Sequence, residues 1–278
     1  MIKFLVDSAS DYSLKEANDS NIEFVPLKVN ISGTEYESGC NLNSDEFYEL
    51  LTGNKEFPKT SQPSPSQFAD VFEKAKSQGD TLICVLLSSG LSGTYQSALL
   101  AHEIVDYDQI YIIDSLSATH MIRLIVEYGQ KLVNEGLNAG QIVDELNAFK
   151  TKIRVVATLD TLEYLYMGGR LSRMQATIGE MANIKPSISV NSIGKVYVKA
   201  KILGINKSIN YIISDYKNTN IDESFPVYSL YTFGQENVSK LESKMKEQGL
   251  RFDCRMQVGS TIGAHIGPNA FGLMFVEK

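Results

Sequence analysis

Residues 81–105 read TLICVLLSSGLSGTYQSALLAHEIV, and this stretch decides the fold class. Its first part, TLICVLL, is a continuous apolar run of the kind found in strands that are buried on both faces of a parallel sheet. The small residues SSGLSG follow, and the pattern YQSALLAHEIV after them is helical. We therefore predict a buried strand, a tight loop and a helix, which together form the repeating unit of an α/β fold.

The segments around this unit repeat the alternation. Ile2–Val6 predicts a first strand, and Ser64 predicts the cap of a helix that Gly79 ends. Residues 109–114, QIYIID, predict another buried strand, and two helical stretches follow from residue 117 to about residue 150. Strands that alternate with helices of this length predict a parallel, doubly wound sheet.

The pattern changes after about residue 150. Residues 187–202, SISVNSIGKVYVKAKI, predict two strands about a tight turn, and strand–helix–strand units follow. Such an order predicts an α+β domain with a largely antiparallel sheet. We therefore predict a two-domain chain of the α/β class, with domains at residues 1–155 and 156–278 that pack closely.

Three further segments are interpreted as irregular or broken structure. PKTSQPSPS, residues 58–66, predicts a loop because it is rich in Ser and Pro. GSTIGAHIGPNA, residues 259–270, predicts a glycine-rich loop between the last two strands. Residues 160–183 predict two helices that are broken at Gly168 and Gly169.

The composition excludes several function classes. The chain has 278 residues, of which 43% are hydrophobic, and its 26 Lys and Arg against 33 Asp and Glu give a net charge of −7. It has no long basic run, so we expect no nucleic-acid partner. No apolar stretch approaches the ~18 residues that cross a bilayer, and the N-terminus lacks the apolar segment of a signal peptide. We therefore expect a cytoplasmic protein without a transmembrane segment.

Common cofactor and metal motifs are absent from the sequence. There is no phosphate-binding GxxxxGKS or GxxxxGKT, no GxGxxG after the first strand, no HExxH and no GxSxG. The residues that most often bind metals are few and dispersed, namely His102, His120, His265, Cys40, Cys84 and Cys254. We predict no metal site and no cofactor, and we interpret His102 and His120 as surface or packing residues.

The loop SSGLSG is the first candidate site. It follows the carboxyl end of a buried strand and precedes a helix, which is where open α/β sheets place ligands. The free N–H groups at the start of the helix favour an anion, and Ser92 adds a hydroxyl donor. The alternative is that Ser92 or Thr94 only caps the helix.

Three more segments hold candidate residues. Thr60 could face the same crevice, although from this segment alone a turn residue held by the neighbouring prolines is the simpler explanation. His265 stands in a loop between glycines and a proline, where function and structure are equal explanations. Arg170 and Arg173, in GGRLSR, either form a solvated face or bind a phosphate or a partner carboxylate.

These motifs occur in one order: DSASD, VPLKV, PKTSQPSPSQF, SSGLSGTYQSA, TLEYLYMGGRLSR, NIKPSISV and GSTIGAHIGPNAFG. In that order, over essentially the whole chain, they resemble the DegV family of bacterial fatty-acid-binding proteins, which includes the binding subunits of fatty acid kinase. The resemblance implies a Rossmann-like N-terminal α/β domain and a C-terminal α+β domain. It also implies a long-chain fatty acid, such as palmitate, buried between or beneath them.

The resemblance also implies the site. Family members hold the fatty acid carboxylate with the residues that correspond to Thr60 and Ser92, and His265 lies near that head group. The implied ligand-binding residues are therefore Thr60, Ser61, Ser92, Gly93, Thr94 and His265. No catalytic residue is implied, because the family acts in lipid transport and metabolism by presenting the fatty acid to a separate kinase.

Arg170 and Arg173 are the predicted docking residues for such a kinase subunit, because the two glycines before them would project them together. The alternative is that Arg170, nearer the glycines, folds back as an internal strut. The chain also departs from the family pattern in residues 114–129, DSLSATHMIRLIVEYG, where many members have small residues and glycine, and this departure concerns the shape of the tail site.

Physical chemistry fits a fatty acid. Burying an acyl chain contributes roughly 0.8 kcal/mol per CH₂ group, whereas a buried carboxylate needs compensating donors. Hydroxyls and N–H groups at a helix start supply these donors without a fixed positive charge. Two other functions remain open: an acyl hydrolase that uses Ser92 and His265, and a nucleotide-binding enzyme. GLSGT is not a nucleophile elbow, and the phosphate-loop motifs are missing.

Overall fold

The computed structural model describes residues 1–54, 56–176 and 183–278. Its strands, in chain order, are β1 (Ile2–Asp7), β2 (Ile22–Val25), β3 (Lys28–Ile31), β4 (Thr34–Glu37), β5 (Lys59–Ser61), β6 (Thr81–Leu86), β7 (Ile110–Asp114), β8 (Ile153–Thr158), β9 (Ile184–Val190), β10 (Val196–Leu203), β11 (Tyr228–Tyr231), β12 (Cys254–Gln257) and β13 (Phe271–Val276).

The α-helices, in chain order, are α1 (Leu14–Asp19), α2 (Ser44–Gly53), α3 (Pro65–Gln78), α4 (Thr94–Val105), α5 (His120–Asn134), α6 (Ala139–Phe149), α7 (Glu163–Met167), α8 (Arg173–Ala176), α9 (Ile205–Lys217), α10 (Glu236–Glu247) and α11 (Ser260–Ile266). Short 3₁₀ turns cover Ser8–Ser10 and Lys150–Lys152. No helix in the described ranges is long and apolar enough to cross a membrane.

The part of the chain before β8, which we call the first half, contains the predicted parallel sheet, and the part from β8 onward is the second half. Its strand order is β2-β1-β6-β7, and each neighbouring pair is parallel. All of β6 after Thr81 is buried, because α3 and α4 cover one face of the sheet and α5 and α6 cover the other. The continuous apolar run therefore predicted its place in the sheet correctly.

The second half contains a six-stranded sheet in the order β10-β9-β8-β13-β11-β12. All neighbouring pairs are antiparallel except β11 and β12, which confirms the largely antiparallel α+β prediction. The whole of β8 lies in this sheet. The predicted domain boundary between residues 155 and 156 therefore falls inside a strand.

A third, three-stranded sheet in the order β4-β3-β5 lies beside the first. Its edge strand β5 lies within residues 58–66, which the sequence predicted as a loop, so that prediction was wrong for three residues. Thr60 pairs with Val29 of β3. Pro58 and Pro63 flank the strand and, having no N–H to donate, keep it short.

The predicted loop at residues 259–270 was also wrong in part, because it contains helix α11. The glycines of this segment lower its helix propensity, and burial of the helix compensates for them. A Cβ atom on Gly263 would clash with the Tyr48 ring, so only glycine permits this close packing.

The predicted break at Gly168 and Gly169 is confirmed. Helix α7 ends at Met167, and Gly169 has a φ of +74°, which turns the chain before α8 begins. The remainder of the second predicted helix, residues 177–182, lies outside the described residues.

The core continues from the first sheet into the second. The cluster that includes Val85, Ile122 and Ile125 from the first half also contains Leu230 and Met274 from the second. The two halves therefore share apolar contacts, and a cavity lies between them.

Candidate functional site

The candidate site is an apolar cavity of about 330 Å³ between the two large sheets. Leu87, Leu91 and Met121 line it from the first half, and Val155 and Ile188 line it from the second. Its volume lies at the lower end of the range for small-molecule sites, and its walls are mostly apolar side chains. Such a cavity suits a ligand with a long apolar part.

Several polar and charged side chains line part of the same cavity. Thr60, Ser61, Ser92, Arg170 and His265 all contribute to its wall. The structure therefore brings together four of the six predicted ligand-binding residues. The other two, Gly93 and Thr94, are absent from the cavity wall and lie next to Ser92 at the start of α4.

The Thr60 hydroxyl contacts the His265 imidazole. Their Oγ1 and Nε2 atoms are 2.8 Å apart. Pairing of β5 with β3 positions Thr60, and α11 positions His265, whose side chain is buried. Burial and, to a smaller extent, the nearby Arg170 charge lower the pKa of His265 to about 3, so the imidazole is neutral at pH 7.

The surroundings of His265 also indicate its tautomer. In the described part of the chain its Nδ1 atom has no hydrogen-bond partner, and it packs on Gly168, where a Cβ atom would clash with it. A buried acceptor without a partner is tolerated better than a buried N–H without one. We therefore assign the proton to Nε2, which donates to Thr60 Oγ1 and leaves the Thr60 O–H free to donate to a ligand.

The SSGLSG loop is held between the two halves. Ser88 Oγ donates to the Gly194 carbonyl in the β9–β10 turn at 2.8 Å, and Ser89 binds the Asp114 carboxylate through both its N–H and its hydroxyl. These contacts fix the backbone that presents Ser92 to the cavity.

The capping alternative for Ser92 or Thr94 receives little support. The residue at the N-cap is Gly93, which has no side chain with which to cap the helix. The Ser92 hydroxyl lies 2.9 Å from Thr94 Oγ1 and accepts from the Thr94 N–H over a long 3.3 Å. A Cβ atom on Gly93 would clash with Gln62, whose amide donates to Ser97 Oγ at 2.9 Å. Gly93 thus allows the TSQPS and SSGLSG loops to meet.

Arg170 is placed differently from the prediction. Its Nε donates to the Leu91 carbonyl at 2.9 Å and its Nη1 donates to the Gly168 carbonyl at 2.5 Å. Half-buried in the cavity wall, it matches the internal-strut alternative, whereas Arg173 is exposed at the start of α8. The prediction that the two arginines project together was wrong, because the turn at Gly169 directs Arg170 inward.

The sequence linked residues 114–129 to the shape of the tail site but named no individual residue of the cavity wall there. Ala118, Thr119 and Met121 line the cavity, and all three fall in the segment 114–129 that departs from the family pattern. Thr261 of α11 also lines it, one helical turn before His265. A helical prediction for residues 259–270 would have revealed this i, i+4 relationship.

Comparison with known proteins agrees with this geometry. A family model described as an uncharacterised protein of the DegV family matches residues 1–278. The chain belongs to the DegV family. A DegV domain-containing protein of Caldanaerobacter subterraneus is 38% identical over 279 residues, which cover 100% of this chain and 99% of that protein. A DegV domain-containing protein of Clostridium acetobutylicum is 31% identical over 278 residues, which cover 100% of this chain and 99% of that protein.

Several solved structures have the same fold. A fatty-acid-binding DegV family protein from Thermus thermophilus is 27% identical and superposes with a TM-score of 0.87, covering 100% of this chain and 99% of its own. A stearic-acid-binding protein from Eubacterium ventriosum is 28% identical, with a TM-score of 0.86 and the same coverage. The fatty-acid-binding protein DegV of Bacillus subtilis is 27% identical, with a TM-score of 0.84 and again the same coverage.

Proposed function

We propose that this chain binds one long-chain fatty acid, with the carboxylate at Thr60 and Ser92 and the acyl tail in the apolar cavity. The observation that carries the proposal is the polar group of Thr60, Ser92, Arg170 and His265 in the wall of an otherwise apolar cavity between the two sheets. The similar proteins of known structure, which are described as fatty-acid-binding, support the same ligand class.

The energetics of the cavity support this ligand. Each buried CH₂ contributes roughly 0.8 kcal/mol, so a sixteen-carbon tail supplies on the order of 10 kcal/mol before ordering costs. The carboxylate needs donors to compensate for its loss of water. The Thr60 hydroxyl, oriented by the neutral His265, and the Ser92 hydroxyl can both donate.

The site was expected to hold its carboxylate without a fixed positive charge, but the Arg170 guanidinium lines the cavity. Burial lowers the pKa of Arg170, yet a guanidinium stays charged in proteins. Two of its donors are engaged by the Leu91 and Gly168 carbonyls. Arg170 therefore adds positive potential beside the carboxylate, and the hydroxyls supply the direct donors.

We further infer that the chain is a carrier rather than an enzyme, acting in the cytoplasm and presenting its fatty acid to a separate fatty acid kinase for acyl-phosphate formation. Within the described residues no acidic side chain orients His265 Nδ1, and the hydrogen bond of its Nε2 is with Thr60 rather than Ser92. A serine hydrolase needs a base that contacts the serine and a group that orients the base. This geometry favours binding over hydrolysis.

The test is to identify the ligand directly. The protein is purified from bacteria and denatured, and the released lipid is identified and quantified by mass spectrometry; the expected result is about one long-chain fatty acid per chain. Recovery of a nucleotide or a sugar, or no lipid in repeated preparations together with no binding of added palmitate, would overturn the proposal. Incubation with acyl esters and acyl-coenzyme A should release no product, and a Ser92-dependent burst would instead support the hydrolase.

A further inference from the structure

Helix α11 connects the two halves of the molecule but cannot be stable alone. It has seven residues, and its N-cap is Gly259, which has no side chain to cap it. A helix this short forms only when tertiary contacts hold it. The position of His265, near its C-terminal end, is therefore set by whatever holds its N-terminal end.

The five residues Gln257–Thr261, which run from the end of β12 into the first turn of α11, are held by buried side chains from the first half. We call these five residues the entry segment. Three contacts hold the backbone: His120 Nε2 donates to the Gln257 carbonyl at 2.8 Å, Tyr48 Oη donates to the Val258 carbonyl at 2.8 Å, and the Gly259 N–H donates to Asp11 Oδ1 at 3.0 Å. Three more join hydroxyl groups: Ser38 Oγ lies 2.7 Å from Ser260 Oγ and 2.8 Å from Thr261 Oγ1, and Ser8 Oγ lies 3.1 Å from Thr261 Oγ1.

Asp11 and His120 differ from the other partners because each keeps one buried polar atom that makes no hydrogen bond in the described ranges. Their side chains are 2% and 4% exposed, and His120 Nε2 lies 3.4 Å from Asp11 Oδ2. In the described ranges, Asp11 Oδ2 and His120 Nδ1 have no hydrogen-bond partner. Polar atoms buried in this way cost folding free energy. Because this pair costs folding free energy, we interpret its role as holding the backbone in place.

The state of the pair fits that role. Burial raises the pKa of Asp11 to about 8 and lowers the pKa of His120 to about 4, so the carboxyl group and the neighbouring imidazole are both neutral at pH 7. Its Nε2 therefore acts as a neutral N–H donor to the Gln257 carbonyl, and Asp11 Oδ1 acts as an acceptor for the Gly259 N–H. The two side chains thus hold the backbone on either side of Val258: His120 binds the Gln257 carbonyl, and Asp11 binds the Gly259 N–H.

We propose that Asp11 and His120 are positioning residues for the fatty acid head-group site: by holding Gln257 and Gly259, they set the placement of α11 and so bring His265 to Thr60. The inference rests on the proposed function only for the identity of the ligand. The placement of His265 can be tested without any ligand.

Helix α11 is suited to transmit this placement. His265 lies six residues after Gly259, which corresponds to about 9 Å of helix. Gly263 packs on the Tyr48 ring and Gly267 packs on the Tyr164 ring, so the helix has little room to bend. A displacement of about 1 Å at the entry segment would break the 2.8 Å contact between Thr60 and His265.

The test uses selectively ¹⁵N-labelled histidine, because the chain has only three imidazoles. In ligand-free protein, Asp11→Ala and His120→Leu should shift the His265 nitrogen resonances and move its titration towards the ordinary pH range. Asp11→Asn, which keeps the acceptor for the Gly259 N–H, should preserve the wild-type His265 signal. His102→Leu is the matched control, since it removes an imidazole on α4 that contacts the Tyr107 carbonyl just after that helix, away from α11.

Ligand affinity supplies a second readout. His120→Leu should weaken palmitate binding by about tenfold, the cost of one hydrogen bond to the ligand. In a Thr60→Val background the same substitution should cause almost no further loss, because both changes remove the same contact. A purely structural role would lower affinity equally in both backgrounds. His120→Gln, which keeps an N–H donor, provides a milder variant if His120→Leu does not fold.

The outcomes separate this inference from the proposed function. If wild-type protein binds no fatty acid but the His265 signal responds to Asp11→Ala and His120→Leu, the positioning role stands and the proposed ligand is wrong. If the His265 signal is unchanged in both variants, or if the losses of affinity are additive with Thr60→Val, the positioning role is overturned.

Discussion

The Nε2 atom of His265 lies 2.8 Å from the Oγ1 atom of Thr60, although 205 residues separate them in the chain. Thr60 belongs to an edge strand of the first half, and His265 belongs to a helix that follows the last-but-one strand of the second. The proposed head-group site therefore forms only when the two halves are packed together. Ligand binding and the packing of the two halves should depend on each other.

Replacing Thr60 with Val should weaken fatty acid binding by ~1–3 kcal/mol, because the carboxylate loses a donor and His265 Nε2–H loses its acceptor. Valine keeps the β-branched shape that suits strand β5. Isothermal titration of delipidated protein with palmitate measures the change. Thr34→Val, on the exposed strand β4, is the matched control and should bind like wild type. Equal affinity for Thr60→Val and wild type would contradict the assigned role.

Ser92→Ala should likewise weaken binding by ~1–3 kcal/mol while changing the free energy of unfolding by less than about 1 kcal/mol. The small effect on stability is expected because Gly93, not Ser92, occupies the N-cap of α4. Urea unfolding and palmitate titration on the same samples separate the two effects. Ser77→Ala, on the exposed face of α3, is the control for a lost serine hydroxyl. Unchanged binding with a large loss of stability would instead assign Ser92 to capping.

Arg170→Ala should reduce both stability and fatty acid binding, by ~1–3 kcal/mol each, because its guanidinium bridges the Leu91 and Gly168 carbonyls beside Ser92 and His265. Arg170→Lys keeps the charge but cannot span both carbonyls in the same way. If positive charge alone matters, the lysine variant will bind like wild type. If the bridge matters, it will resemble Arg170→Ala.

Arg173→Ala should leave the bound lipid per chain unchanged, because Arg173 is exposed and does not line the cavity. If the chain presents its fatty acid to a kinase with an acidic docking surface, the same variant should form acyl phosphate more slowly. The difference from wild type should shrink as salt is raised, because salt screens exposed charges. Acyl-phosphate yield at several salt concentrations measures this. A rate equal to wild type at low salt would exclude Arg173 from docking.

Much of the fold could be predicted from local signals. The apolar run of β6 predicted a strand buried on both faces, and Ser64 and Gly79 predicted the start and the end of helix α3, which the structure confirms. These signals are local because each depends on side chains that lie within a few residues of one another. Thr60, Ser92 and His265 were proposed from family motifs, since each residue alone had a structural explanation that was at least as simple.

The rest depends on contacts that are distant in sequence. Helix α11 was predicted as a loop because its glycines disfavour a helix, and the groups that hold it come from far away: Asp11 lies 248 residues from Gly259, and Tyr48 lies 210 residues from Val258. The inward direction of Arg170 depends on the positive φ of Gly169, which a glycine permits but does not require. Periodicity and motif spacing contain neither kind of information.

The acid sensitivity of the protein should depend in part on His265. Its pKa falls from 6.5 to about 3 in the folded chain, so between these values the unfolded chain binds more protons and stability decreases as the pH is lowered. A single group of this kind changes the free energy of unfolding by up to about 1.4 kcal/mol per pH unit. His120, whose pKa is lowered to about 4, acts in the same direction, whereas burial raises the pKa of Asp7 to about 6 and of Asp11 to about 8, and these two act in the opposite direction.

The contribution of His265 can be isolated by difference. In urea unfolding between pH 6 and pH 4, His265→Gln should lose stability less steeply than wild type, by about 1.4 kcal/mol per pH unit at most. Thr60→Val is the control, because it breaks the same 2.8 Å hydrogen bond without removing a titrating group and should shift the free energy of unfolding by a similar amount at every pH. Parallel profiles for wild type and His265→Gln would mean that His265 titrates alike in the folded and unfolded chains. The lowered pKa of His265 would then be wrong, and the imidazole would carry a positive charge already as the pH falls through 6.5.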